Sequence, residues 1–495
     1  MYVLAIDQGT TSSRVIVFDD SGKSLGLVQQ EISQGYPSPG WVNHDPEEIW
    51  QSVRSTAAEA ITGSGIQVDE LAAVGIANQR ETTMVWDKRS GQPLTPAIVW
   101  QSRQSVPWVA AIRERGKVQQ YRDITGLQPD AYFSATKLAM LLDENPELRN
   151  RAEAGEVLFG TVDSWLIWKM TGGAVHATDV TNAARTMLFD IRTLDWSQPL
   201  LDDLAIPRQI LPAVLPSSGM FGETTGDFLP APLPIAGVAG DQHAALFGQA
   251  CFDPGDAKCT YGTGSFLLMN TGDKPAPSEN GLLTTVAWQI GQQLVYALEG
   301  AVFITGAAVQ WLRDGLGIIE RAPDIEQLAG SVPDSGGVVF VPALVGLGAP
   351  HWDPDARGML IGMTRGTTAA QIARATLDAM ALQTADVIDA MRADSGIDPQ
   401  QLRIDGGAAG NDLLGQIQAD VLGIAVVRPE QLETTALGAA YLAGLAAGVW
   451  PDQGAVSGQW RENRRFEPAM ASSERQAMSD RWHAAVERSK GWAQG

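Results

Sequence analysis

The sequence of 495 residues has only two cysteines, Cys251 and Cys259, and five histidines. The cysteines form no CxxC motif, and no histidine lies at a spacing typical of metal ligands. A disulfide framework or a structural zinc site would need more of these residues. We therefore expect both cysteines to be core residues of a protein that resides in a reducing compartment.

Positive charge is also scarce. Lysine and arginine total 35 against 57 aspartates and glutamates, which gives a net charge of −22. Binding to nucleic acid or to an anionic membrane surface requires clustered basic residues, and the sequence has no such cluster. Nucleic acid is therefore excluded as a partner, and an anionic membrane surface is disfavoured.

Long hydrophobic runs are missing as well. The N-terminus, MYVLAIDQGTTSS, has neither the basic region nor the apolar run of a signal peptide. The longest uncharged run near the C-terminus, residues 434–450, is short for a membrane span and rich in glycine. It predicts a buried helix packed through small residues, so we expect a cytoplasmic protein without an integral membrane segment.

Apolar residues are nevertheless abundant, at 44% of the chain against 19% charged residues. Such a composition supports large buried cores rather than disorder. The length suggests roughly three domains by the usual size of a domain, with two large domains equally possible.

Glycine clusters in three short polar loops that follow β-type runs, at residues 7–13, 261–266 and 405–411. Branched and aromatic residues flank the first two loops, which predicts a strand, a tight turn and a second strand. The third loop leads into an amphipathic helix over 411–423, where free backbone N–H groups would favour an anion. Helical patterns at 46–62, with Asp45 as N-cap, and at 367–393 alternate with the strands, which indicates an α/β protein.

The two halves of the sequence resemble each other weakly, because each opens with a hairpin that carries a Gly-Thr turn. A proline-rich stretch at 219–237 precedes the second hairpin. We place a domain boundary near residue 250, which predicts two similar domains, 1–250 and 251–495, with a cleft between their turns.

The glycine loops carry the chemistry that phosphate binding needs. Backbone amides and the hydroxyls of Thr10, Thr11 and Ser12 provide donors without steric bulk, and Asp7 could hold Mg²⁺ beside the phosphates. An ordinary hairpin turn is the alternative for each loop alone. The loops match neither the GxxxxGK[ST] pattern nor GxGxxG before a helix, so a Walker-type or a dinucleotide site is unsupported.

Longer segments identify a family. The sequence closely resembles the FGGY carbohydrate kinases of the actin-like ATPase superfamily over nearly its whole length, and in particular the members that phosphorylate glycerol. The matching segments include IDQGTTSSR (6–14), GIANQRETTMVWD (75–87), GDQHAALFGQ (240–249), YGTGSFLLMNTG (261–272) and DGGAAGN (405–411). The resemblance implies two actin-like, ribonuclease H-like α/β domains around an interdomain cleft.

The resemblance also implies a polyol site in the N-terminal domain. By themselves, the adjacent Arg80 and Glu81 would read as a surface ion pair, and the aromatic residues would read as core. In the family, the corresponding residues surround glycerol, with charged side chains on its hydroxyls and aromatic rings against its carbons. The implied substrate residues are Arg80, Glu81, Trp100, Tyr132, Asp241, Gln242 and Phe266.

Asp241 is the implied general base, a role that competes with that of helix N-cap when the sequence is considered alone. Asp7 and Asp241 are the implied Mg²⁺ ligands. The residues implied for ATP are Thr10, Thr11, Ser12, Arg14, Thr263, Gly306, Gln310, Gly407 and Asn411. These hydrogen-bond donors are local, so a chain with a net negative charge can still bind the polyanion ATP.

The sequence therefore predicts ATP-dependent phosphorylation of glycerol to sn-glycerol 3-phosphate, by a homodimer or homotetramer. A kinase of the same family that acts on a pentulose or erythritol is one alternative. A non-catalytic actin-like ATP-binding protein, without a polyol pocket, is the other.

Overall fold

A computed structural model describes residues 1–494 of the chain. The first half forms the strands β1 (Tyr2–Gln8), β2 (Ser12–Asp19), β3 (Ser24–Glu31), β4 (Asn43–His44), β5 (Leu71–Asn78), β6 (Met84–Asp87), β7 (Ala97–Ile98), β8 (Val157–Gly160), β9 (Ala177–Asp179), β10 (Phe189–Asp190), β11 (Asp195–Trp196), β12 (Ala213–Leu215) and β13 (Ile235–Gly240). Its helices are α1 (Pro46–Ser64), α2 (Val106–Glu114), α3 (Val118–Thr125), α4 (Ser134–Glu144), α5 (Pro146–Glu153), α6 (Val162–Met170), α7 (Val180–Ala183), α8 (Gln198–Asp203) and α9 (Asp241–Gly248).

The second half has the same mixture of elements. Its strands are β14 (Ala257–Tyr261), β15 (Ser265–Gly272), β16 (Leu283–Ile290), β17 (Gln293–Val302), β18 (Val339–Val341), β19 (Met359–Ile361), β20 (Gln401–Asp405), β21 (Ala425–Pro429) and β22 (Glu462–Phe466). Its helices are α10 (Gly306–Asp314), α11 (Asp324–Gly330), α12 (Ala369–Ser395), α13 (Asp412–Leu422), α14 (Thr434–Ala446), α15 (Gln453–Ser457) and α16 (Ser472–Ser489).

Each half builds one large sheet, and the two sheets share a topology. The N-terminal sheet has the order β13-β5-β1-β2-β3, in which β1 pairs antiparallel with β2 and parallel with β5. The C-terminal sheet has the order β16-β17-β15-β14-β20-β21-β22, with β14 antiparallel to β15 and parallel to β20. The predicted repeat is confirmed, since a glycine-turn hairpin joined to parallel strands forms the centre of both sheets.

The sequence predicted the positions of helices α1, α12 and α13 well. Helix α1 begins at Pro46, and the Asp45 carboxylate caps it by accepting from the Glu47 amide at 2.8 Å. Helix α12 covers most of the predicted stretch 367–393, and α13 ends at Gly423 in a left-handed conformation.

Helix α14 comes from the second half of the sequence but packs on the first sheet, against β1, β5 and β13, and against α9. Its residues 434–446 lie in the uncharged run for which the sequence predicted a buried helix, and the prediction is confirmed. A Cβ atom on Gly75 would lie 2.2 Å from the Ala439 carbonyl oxygen, so only glycine permits this approach. The domain division at residue 250 stays a prediction. The two large sheets are formed by residues on opposite sides of this position, but α14, which comes from the second half of the sequence, packs on the sheet of the first half.

Two further expectations concern what lies inside the protein. Cys251 and Cys259 are both unpaired and buried, as predicted for core residues. Among residues 1–494, the structure has no helix with both the length and the apolar character that crossing a membrane requires.

Candidate active site

Parallel strands bring the principal charged residues of the first half to one edge of the N-terminal sheet. Gln8, Asn78 and Gly240 lie in register at the carboxyl ends of β1, β5 and β13. Asp7 precedes the first of these ends, and Arg80 and Asp241 follow the other two. Residues far apart in the sequence therefore meet because carboxyl ends of neighbouring parallel strands share an edge.

Arg80 is the centre of this cluster and is 3% exposed. Its Nε lies 3.1 Å from Asp241 Oδ1. Its Nη1 and Nη2 donate to the two carboxylate oxygens of Glu299 at 2.5 and 2.9 Å. Because the pair is bidentate, the plane of the guanidinium is fixed. The structure thus brings together Arg80 and Asp241, two residues of the predicted polyol site.

Glu81 points into the same region because its backbone is irregular, with a φ of 62°. Its Oε1 accepts from Arg185 Nε at 2.6 Å, and Arg185 Nη2 donates to Glu299 at 3.2 Å. Burial raises the pKa of Glu81, against the opposing effect of Arg185 and Arg80. Burial also favours the neutral form of Glu299, but Arg185 and Arg80 prevail and lower its pKa to about 2. The site thus has a buried layer of alternating charges.

Three aromatic rings line one side of the cluster. The Trp100 ring lies 5.5 Å from that of Tyr132 and 6.3 Å from that of Phe266, in both cases edge to face. The Phe266 ring also lies 5.9 Å from the Arg80 guanidinium carbon. Trp100 Nε1 donates to Thr10 Oγ1 at 2.8 Å, which joins this aromatic wall to the first glycine loop.

Gln242 is held by a buried lysine from the other sheet. Lys258 Nζ donates to Gln242 Oε1 and, at 2.8 Å, to Thr260 Oγ1. Burial lowers the pKa of Lys258, although nearby carboxylates, Asp405 first, favour its charged form. The side chain of Gln242 therefore has a fixed orientation beside Asp241.

The first glycine loop presents unused donors. The Gly9 amide closes the turn on the Ser12 carbonyl at 2.9 Å. Among residues 1–494, the amides of Thr10 and Thr11 have no hydrogen-bond acceptor. Arg14, in contrast, is engaged: it pairs with Glu433, and its Nη2 donates to Gln29 at 2.8 Å.

The second glycine loop is tied to the start of α10. The Gly306 amide donates to the Gly262 carbonyl at 3.1 Å, and the Thr263 carbonyl accepts from Ala307 at 3.0 Å. A Cβ on Gly306 would lie 2.4 Å from the Gly262 oxygen, so the two segments need a glycine there. Thr263 is exposed at the loop tip, and Gln310 is exposed about one turn into α10.

At the third loop, the expectation of free amides for an anion is wrong. The N-terminus of α13 is already capped: Asn411 Oδ1 accepts from the Leu414 amide at 2.8 Å. The Glu326 carboxylate accepts from the amides of Asp412 and Leu413 at 3.0 and 3.2 Å. A protein carboxylate has thus taken the place that the helix dipole offers to an anion. Gly407 remains open, since no atom of residues 1–494 lies within 4 Å of where its Cβ would be.

Asp7 has the surroundings of a cation ligand. Burial raises its pKa to about 7, Arg14 opposes the rise, and the charges of Asp241 and Glu433 add to it. Neighbouring carboxylates that repel one another fit a divalent cation, which would relieve the repulsion. No group of three or more cation-binding side chains is found among residues 1–494. Asp7 and Asp241 therefore fit Mg²⁺ only if waters or phosphate oxygens complete its coordination, as is usual for this ion.

Sequence reasoning missed the charged residues that support the pocket, Arg185, Glu299 and Lys258. Each stands in an otherwise apolar or small-residue stretch, as Glu299 does within LVYALEGAV (294–302). A lone charge in a strand that is otherwise apolar indicates a buried, paired group. That signal predicts a partner without saying which residue it is.

Comparisons with known proteins agree with this architecture. The family model described as the FGGY family of carbohydrate kinases, N-terminal domain, matches residues 2–248, and that of the C-terminal domain matches residues 257–447. Glycerol kinase 2 of Thermotoga maritima is 57% identical over 491 residues, 99% of each chain. The glycerol kinase of Symbiobacterium thermophilum is 56% identical over 492 residues, also 99% of each.

Solved structures have the same fold. The crystal structure of Plasmodium falciparum glycerol kinase with ADP superposes with a TM-score of 0.92 at 35% identity, covering 99% of this chain and 98% of that one. A ligand-bound xylulose kinase from Lactobacillus acidophilus gives a TM-score of 0.88 at 22% identity, covering 98% of this chain and 97% of that one. The second likeness concerns the fold alone.

Proposed function

The chain belongs to the FGGY family of carbohydrate kinases, and on that premise we propose that it is a glycerol kinase. It transfers the γ-phosphoryl group of ATP to glycerol and yields sn-glycerol 3-phosphate and ADP. Full-length identities of 56–57% to glycerol kinases support this substrate. Relatives that act on xylulose match at 22% identity, which does not extend to the substrate.

One observation supports the proposal most directly, namely that the charged cluster and the first glycine loop share an aromatic wall. Arg80 and Asp241 supply a donor and an acceptor for hydroxyl groups, and the ring of Phe266 beside Arg80 suits carbon-bound hydrogens. Trp100 continues this wall to Thr10 through its indole N–H. A small neutral polyol would thus lie beside the loop proposed to bind phosphate.

In the proposed mechanism, Asp241 is the general base. Its Oδ1 accepts from the Gln242 amide at 2.7 Å and faces Arg80 Nε. Oδ2 has no hydrogen-bond donor among residues 1–494, so it can take the proton of a terminal hydroxyl. The hydroxyl oxygen forms its bond to the γ-phosphorus as the bond to the β–γ bridging oxygen breaks, and ADP leaves.

The remaining residues bind and orient the substrates. The amides of Thr10 and Thr11, with the hydroxyl of Thr263, suit phosphate oxygens, while Gly407 leaves space for the nucleoside. Mg²⁺, when bound, neutralises charge on the transferring phosphoryl group. Asp7 and Asp241 would hold it. Ser12, Arg14, Gly306, Gln310 and Asn411 remain predicted nucleotide residues.

The proposal is tested by measuring ADP release with Mg²⁺ and ATP across a panel of glycerol, erythritol, xylulose and ribulose. We expect strong stimulation by glycerol alone. Stimulation by a pentulose or by erythritol instead would assign the protein a different substrate within the same kinase family. Slow ATP hydrolysis that no polyol changes would favour a non-catalytic ATP-binding protein.

The oligomeric state and the cellular location are proposed from the family resemblance. A homodimer or homotetramer is expected, which light scattering after gel filtration would determine. The two unpaired, buried cysteines are compatible with a reducing compartment such as the cytoplasm.

A further inference from the structure

The C-terminal sheet reaches the polyol pocket through a buried side chain, that of Glu299 in β17. Both of its carboxylate oxygens accept from Arg80, which follows β5 in the other sheet. Arg80 and Glu299 are 219 residues apart in the sequence. The orientation of Arg80 is therefore set by a strand of the other half of the protein.

Glu299 also holds a second arginine. Arg185 Nη2 donates to Glu299 Oε1 at 3.2 Å, and Arg185 Nε donates to Glu81 at 2.6 Å. Both Glu299 and Arg185 are 0% exposed, so neither can exchange its partner for water. One carboxylate thus fixes Arg80 directly and Glu81 through Arg185.

The contacts of Arg80 leave donors for a substrate. Glu299 takes one N–H from Nη1 and one from Nη2, while Nε faces Asp241. The second N–H on each Nη nitrogen has no acceptor among residues 1–494, and its direction follows from the fixed guanidinium plane. If the carboxylate were displaced, these donors would turn while the loop that binds phosphate stayed in place.

We propose that Glu299 is a positioning residue for the polyol. Glu299 acts through Arg80 and Arg185, and it links polyol binding to the relative placement of the two sheets. This inference rests on the proposed function and adds to it a specificity determinant outside the pocket itself. Among residues 1–494, the Glu299 side chain accepts hydrogen bonds from Arg80 and Arg185 and from no residue of the nucleotide loops, so its influence on ATP is expected to be small.

The test compares Glu299→Asp and Glu299→Gln with the wild-type protein, through the KM values for glycerol and for ATP and through kcat. Glu299→Asp keeps the charge but shortens the reach, so the bidentate contact is lost. We expect the KM for glycerol to rise about tenfold or more, with the KM for ATP within about twofold of wild type. Glu299→Gln should have a larger effect, because it removes the carboxylate that the two buried guanidinium groups share and leaves them Glu81 and Asp241. If Glu299→Gln does not fold, the KM values of Glu299→Asp alone test the proposal.

Asp386→Asn is the matched control. Asp386 is also a buried carboxylate of the C-terminal half, and it accepts from Trp482 and His483 at 2.7 and 2.8 Å, away from the pocket. This variant should lower the melting temperature without a selective change in the KM for glycerol. Equal changes in both KM values for Glu299→Asp, or no change in either, would overturn the role of Glu299. A wild-type protein that releases no ADP with any polyol would instead overturn the proposed function, and with it this inference.

Discussion

The two ends of the cleft differ in the chemical groups that line them. At the polyol end, buried charged side chains are locked by one another, as Arg80 is by Glu299. At the end proposed to bind the nucleotide, which we call the nucleotide end, glycine turns offer amides and hydroxyls, as at Thr10 and Thr263. In the proposed function, the first arrangement selects a polyol through fixed hydroxyl partners, whereas the second accepts a charged phosphate group through backbone donors.

The difference predicts different responses to substitution. A change in a fixed charge should affect glycerol and the stability of the fold together, since its partners remain buried. A change in an open glycine should affect the nucleotide alone. Substitutions at each end therefore separate the two substrates, and the residue between the ends should affect turnover most.

Asp241→Asn is expected to have the largest effect. The amide cannot take the proton of the attacking hydroxyl, so kcat should fall about 10²- to 10⁴-fold. ATP binding, measured by calorimetry, should persist because the glycine loops are unchanged. Near-normal turnover would show that Asp241 is not the general base. No catalytic group would then be assigned between the two ends.

Arg80→Lys tests the polyol end. The ammonium keeps the charge but cannot make the bidentate contact with Glu299, so the KM for glycerol should rise about tenfold to a hundredfold. The KM for ATP should stay near its wild-type value, which steady-state kinetics with each substrate varied in turn would establish. Equal losses for both substrates would contradict the separation of the two ends.

Gly407→Ala tests the nucleotide end. A Cβ at residue 407 meets no atom of the described part of the chain within 4 Å, so the melting temperature should be unchanged. If the nucleoside lies there, the added methyl group should raise the KM for ATP several-fold, up to about tenfold. Gly410→Ala is the control, because its Cβ also meets nothing within 4 Å. An unchanged KM for ATP in Gly407→Ala would place the nucleoside elsewhere.

The smallest expected effect concerns pH at the nucleotide end. The pKa of Asp7 is raised to about 7, so protonation competes with a cation below that pH. From pH 7.5 to 6.5, the Mg²⁺ concentration needed for half-maximal activity should rise about threefold by simple competition. Asp7→Asn should lose this dependence at saturating glycerol. A wild-type Mg²⁺ requirement that does not change with pH would exclude Asp7 as a ligand.

The two glycine-turn hairpins could be predicted from the sequence because turns are local. A glycine followed by threonines between two β-type runs specifies its own hairpin, and both hairpins were found where they were expected. The wrong expectation at α13 has the opposite origin, a contact between residues that lie far apart in the sequence. The sequence around 411 predicts a helix start, but Glu326, which occupies its amides, lies 86 residues away from Asp412.

The sequence by itself determined the α/β class, the repeat of glycine-turn hairpins and the membership in a kinase family, and it predicted Arg80, Glu81 and Gln242 as site residues. Only the tertiary structure decided what holds those residues: Glu299 on Arg80, Arg185 on Glu81 and Lys258 on Gln242. Neighbouring residues fix a turn through backbone sterics. A buried charge, in contrast, is stable only beside its counter-charge, and the fold alone brings together partners that lie far apart in the chain.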